Sequence, residues 1–103
     1  MMLLAYKVMA TNPENSLLVS GADNRLTFPA TLGRFSMPSP GIWLSTNRNH
    51  VLDYYSVHDH NALLTVEIDP KTVSRGSLDD LDTEFCVPHA NIISLDFFTE
   101  DAP

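Results

Sequence analysis

The segment "ALLTVEID" at residues 62–69 alternates its side chains and is cut off by Pro70. Leu64, Val66 and Ile68 face one way, and Thr65 and Glu67 the other. That two-residue period belongs to a strand with one face on a core. Proline lacks the next ladder donor, so the strand ends at Asp69-Pro70. Other runs of strand-like length are "LLAYKVMA" (3–10), "SLLVSG" (16–21) and "GIWLST" (41–46). The last apolar stretch, "EFCVPHANIISLDFF" (84–98), is divided by Pro88 into two strand segments. In "GIWLST", Ile42 and Leu44 take one face and Trp43 the other. No apolar run approaches the roughly 20 residues that a membrane-spanning helix needs. Short, turn-separated strands must therefore supply most of the fold.

One helix is expected among them. Asn47 is a good N-cap residue, and the segment after it, through Tyr55, places Val51, Leu52 and Tyr55 on one side. "TNPEN" (11–15) and "SVHDHN" (56–61) are turn chemistry. Residues 22–41 hold three of the seven prolines and two of the four glycines. They read as loop apart from a short strand at 25–28, although so long a connection points to a binding loop or a further element. Residues 74–82 form an acidic loop anchored by Leu78 or Leu81. The sum is an α+β fold: one small domain over residues 1–103, with short antiparallel or mixed strands and one short helix.

The charge balance restricts partners. Thirteen Asp+Glu against six Lys+Arg give a net charge of −7, which argues against a nucleic-acid partner, since such binding rests on cations neutralising phosphates. A hydrophobic content of 44% marks the chain as globular. Cys86 is the one cysteine, so no internal disulfide forms. "MMLLA" is shorter than a signal-peptide core, and Tyr6-Lys7 closes it. These features give a cytoplasmic protein with no membrane association. It is a monomer or a homodimer, with "IISLDFF" offering apolar residues on both strand faces.

Three chemistries find weak support in the residues. His58 and His60 have the spacing of paired metal ligands, with His50, Cys86 and His89 elsewhere, yet zinc needs three or four converging groups and 56–61 reads as a turn. No metal is expected. A Cys86 nucleophile needs an electropositive setting, and its neighbours in sequence are acidic. The four glycines match neither a dinucleotide loop nor a P-loop.

The order of the remaining motifs carries more. "AYKV" on the first strand is followed by "GIWLST", a helix "NHVLDYY", then "ALLTVEID", then "DTEFCVP". This order resembles the ADP-ribosyltransferase-like superfamily, in particular its toxin and antibiotic-modifying branches. Those proteins carry an Arg or His on an early strand, a Ser-Thr-Ser or aromatic element in the middle, and a Glu-x-Glu opening a later strand. Here Lys7 or Tyr6 stands in the first position, Ser45-Thr46 in the second and Asp82-Thr83-Glu84 in the third.

The resemblance implies a split sheet and a cleft for NAD. Breaking the nicotinamide–ribose bond builds positive charge on the sugar, and a rigid carboxylate stabilises it where it develops. Glu84 would take that role, with Asp82 orienting or deprotonating the acceptor. Ser45 and Thr46 would brace the strand behind the nicotinamide, Tyr54 or Tyr55 would stack on its ring, and Lys7 would meet the diphosphate. NAD would be a substrate rather than a resident cofactor. The plainer alternative is a non-enzymatic acidic protein, of the kind carried by phages or mobile elements. It would cover a partner protein through Asp79, Asp80, Asp82 and Glu84, with Lys7 an ordinary surface charge.

Overall fold

The computed structural model describes residues 2–12, 17–19, 27–29, 31–39, 41–54, 61–78 and 84–97. The ten-residue strand β1 (Leu3–Asn12) organises them. It pairs with β6 (Ala62–Ile68) over residues 3–9, and its far end, residues 10–12, pairs with β2 (Leu17–Val19). β3 (Thr27–Pro29) continues beyond β2. On the other flank β6 pairs with β9 (His89–Phe97), and β9 with β4 (Gly33–Ser36). The result is a six-stranded sheet in the order β3-β2-β1-β6-β9-β4. A three-stranded sheet combines β5 (Ile42–Leu44), β8 (Phe85–Val87) and β7 (Arg75–Gly76), in the order β5-β8-β7.

Every pairing among the described residues is antiparallel, and a seven-residue helix, α1 (Arg48–Tyr54), is the one α-helix there. The expectation of an α+β fold, with the split sheet implied by the family resemblance, is therefore corrected. The described chain is mostly strand, a curled antiparallel sheet with a small second ladder, and is nearly all-β. The reason lies in the connections. Residues 22–41, read as loop, contribute β4 and extend the six-stranded sheet. The 74–82 stretch, also read as loop, contributes β7. A register shift between Thr65 and Val66 skips Ile93 on β9, a bulge that adds twist and curls the sheet.

Two apolar clusters hold these layers. The larger lies between the sheets, with Met9, Leu64 and Val66 from one and Ile42, Leu44 and Phe85 from the other. Leu64, Val66 and Ile68 all face it, as their alternation requires, and Leu78 packs at its margin. The smaller cluster sits under α1, where Val51 packs on Val8 and Leu63, with Tyr6 and Leu52 at its side. The Asn47 side chain caps α1 by accepting from the His50 amide at 3.2 Å. The helix ends at Tyr54, and Tyr55 falls outside the described residues. Asp69 ends β6 and caps the 3-10 turn Pro70–Thr72, its carboxylate accepting from the Lys71 amide at 3.0 Å. No helix among the described residues is long and apolar enough to cross a membrane.

Glycine is required where the loop after β4 meets β8. Gly41 has φ +104°, and a Cβ there would collide with the Val87 carbonyl. Gly33 also has positive φ, +122°, but a Cβ there meets nothing. Gly33→Ala thus adds only backbone strain, about 1–2 kcal/mol, whereas Gly41→Ala must also displace main chain in the core. We expect Gly41→Ala to be the more destabilising of the two by urea denaturation. Equal losses would show that the Gly41–Val87 approach is not tight.

Candidate functional site

Lys7 stands opposite Leu64 in the β1–β6 ladder and shares a strand face with Ala5 and Met9, both members of the larger core. It is only 6% exposed, so it is not the surface charge of the plainer reading. Removing an ammonium group from water costs several kcal/mol. The same burial lowers the Lys7 pKa below the ordinary lysine value of 10.5. Two groups oppose that shift, first the Glu84 carboxylate and then Cys86.

The Glu84 position depends on a chain of pairings. Tyr6 and Ser45 exchange two main-chain hydrogen bonds, Tyr6 N to Ser45 O at 2.8 Å and Ser45 N to Tyr6 O at 3.1 Å. This bridge fastens the end of β5 to β1, one residue from Lys7. β5 in turn pairs with β8, Leu44 opposite Phe85, and Glu84 is the half-buried residue that precedes β8. Ser45 is fully buried, and its hydroxyl accepts from the Asn47 amide at 3.1 Å. One serine thus joins the strand bridge to the start of α1.

Lys7, Ser45 and Glu84, far apart in sequence, are thereby brought into one neighbourhood. Tyr6 is half-buried beside the smaller core, and Thr46 is half-buried after the bridge. Tyr54 closes α1. Asp82 and Tyr55 lie outside the described residues, as do Asp79, Asp80, His58 and His60. Among the described residues no three His, Cys, Asp or Glu side chains converge in a way that would hold a metal ion.

Cys86 is fully buried in β8. Burial raises its pKa, Arg75 and Lys7 pull it down, and Glu84 pushes it up. Its pKa lies above the ordinary thiol value, so the group stays protonated at neutral pH and is a poor nucleophile. Arg75 had no signal in the sequence. It acts here because β7, a two-residue strand, pairs Arg75 with Cys86.

The arrangement offers a half-buried carboxylate at the mouth of β8 and a desolvated ammonium behind it. Together they suit a ligand carrying both hydroxyls and anionic oxygens. Comparison with family models, with curated proteins and with solved structures finds no match to this chain.

Lys7 burial has a signed consequence for stability. The folded-state pKa is lowered, so the penalty of the buried ammonium is fully present below that pKa. It fades as pH rises through it and is gone above 10.5, where the unfolded chain also loses its proton. We expect the stability of the native chain, measured relative to Lys7→Met, to rise with pH on approach to 10.5. The slope should reach at most about 1.4 kcal/mol per pH unit. Cys86 contributes with the opposite sign and is itself coupled to Lys7, so the comparison is made with both proteins carrying Cys86→Ala. Urea denaturation at several pH values between 7 and 10 measures the difference (about a proton's worth at most,), and a constant difference would contradict a lowered Lys7 pKa.

Proposed function

We propose that this chain binds NAD or a related nucleotide beside Lys7, Ser45 and Glu84, with ADP-ribosyltransferase-like chemistry as the activity such a site would serve. The observation that carries the reading is the burial of Lys7, whose pKa is lowered by desolvation against the opposing influence of Glu84. An isolated buried ammonium is costly, and residues of this kind concentrate at functional sites. Glu84 accepts hydrogen bonds from ribose hydroxyls, and its negative charge opposes the positive charge that develops as the nicotinamide–ribose bond weakens. Lys7 supplies the counter-charge for the ligand's phosphates. Buried Ser45 fixes the strand end behind the sugar. Asp82, two residues before Glu84, is assigned to the acceptor by family resemblance alone. The single thiol accords with action in the reducing cytoplasm.

The donor set fits the ligand in kind. A carboxylate serves the sugar hydroxyls, and an ammonium serves the diphosphate. A ligand-observed NMR titration with NAD tests the reading. Saturation transfer to the ribose and nicotinamide protons is expected, and Glu84→Gln should weaken binding about tenfold, the scale of a lost hydrogen bond to a charged group. Folded protein that gives no transfer, or transfer indifferent to Glu84→Gln, would reject it.

A further inference from the structure

β9 is longer than the strand that covers its outer edge. On one side it pairs with β6 from Asn91 to Phe97. On the other it pairs with β4 from His89 to Ile92 and no further. Among the described residues, the outer edge of β9 from Ile93 to Phe97 therefore meets no strand. The change falls at the bulge: Ile93 is the residue that the β6 register skips, and beyond it the ladder runs regularly to Phe97.

The other edges of the six-stranded sheet carry devices that discourage pairing. β3 ends on Pro29, and β4 contains Gly33 and the charged Arg34. Ile93–Phe97 reads Ile-Ser-Leu-Asp-Phe, with one charge and neither proline nor glycine. It also presents apolar surface. Ile93 is 42% and Phe97 53% exposed, and Leu32, next to the Gly33 that faces Ile92, is 67% exposed.

We infer that this edge pairs with the same edge of a second copy of the chain, antiparallel about a two-fold axis at Leu95. A strand paired with itself in this way sets the axis residue opposite its own copy and mirrors the rest around it. Ile93 then faces Phe97 of the second copy, Ser94 faces Asp96, and Leu95 faces Leu95. The two exposed apolar side chains cover each other, and the carboxylate meets a hydroxyl that can donate to it. An axis at Asp96 would instead oppose two carboxylates, which is destabilising. An axis at Ser94 would oppose Asp96 with Ile92, where β4 already holds the edge. Leu95 packs against the larger core, and Ile93 and Phe97 share its side of the strand by the two-residue period. Pairing at Leu95 thus continues the margin of that core from one copy into the next. The inference does not depend on the nucleotide reading.

Five residues span about 17 Å, so the interface belongs to the small, weak class. Sedimentation equilibrium at protein concentrations up to about 1 mM tests it. The mass should rise with concentration from 11.5 kDa toward twice that value. Ile93→Lys should weaken the dimer roughly tenfold, because symmetry removes the Ile93–Phe97 contact twice. Ser94→Lys, which faces Asp96 of the second copy, should strengthen it, and Ser94→Asp should weaken it. A chain that stays monomeric throughout would overturn the interface, as would a dimer indifferent to both Ile93→Lys and Ser94→Asp. A dimer weakened by Ile93→Lys and equally by either change at Ser94 would overturn the register at Leu95.

Discussion

Two hydrogen bonds between Tyr6 and Ser45 join the small sheet to the large one, and the candidate site depends on them. β1 is already paired with β6 along residues 3–9 and with β2 beyond. The bridge uses its remaining edge, so β5 arrives beside Lys7 and brings β8 with it. Had β5 been fastened one residue away, its alternation would have turned Ile42 and Leu44 out of the core. The larger apolar cluster and the Lys7–Glu84 pairing are therefore set by the same register. Ser45 is small enough to be buried at this junction, and its hydroxyl holds the Asn47 amide where α1 begins.

The electrostatics follow from that packing. Lys7 is placed among apolar residues because its strand position is a core position. The cost of burying its charge is met partly by Glu84 and partly by the surrounding apolar burial, at roughly 1.5–3 kcal/mol for each large side chain fully sealed. Such a lysine is retained in a core at a net loss relative to an apolar residue of similar size. Cys86 obeys the same logic with opposite sign, since burial keeps it neutral and so keeps it out of the chemistry.

Much of the local structure was legible in the residues. The period-two pattern of 62–69 located β6 and its buried face, Asn47 marked the start of α1, and Asp69-Pro70 marked the end of β6. The fold class was not legible, because it depends on which strands pair and on elements too short to show a period. β4 buries Phe35 alone, with exposed Arg34 and Ser36 beside it, and β7 has only two residues. Within the candidate site, Lys7, Ser45 and Glu84 were singled out by motif order, whereas the burial of Lys7 required knowledge of which face of β1 meets the small sheet. Arg75 was invisible, because its importance comes only from cross-strand register with Cys86.

The Lys7 ammonium is desolvated by burial, and the Glu84 carboxylate partly opposes the fall in its pKa. The chain has two lysines, Lys7 and Lys71, so their side-chain NMR signals can be assigned with the single substitution Lys71→Arg. Following the Lys7 signal through an alkaline titration tests the claim directly. The account predicts a pKa below the ordinary lysine value, and a further drop in Glu84→Gln because the raising influence of the carboxylate is lost. A Lys7 that titrates at the ordinary value, or that is unmoved by Glu84→Gln, would contradict it.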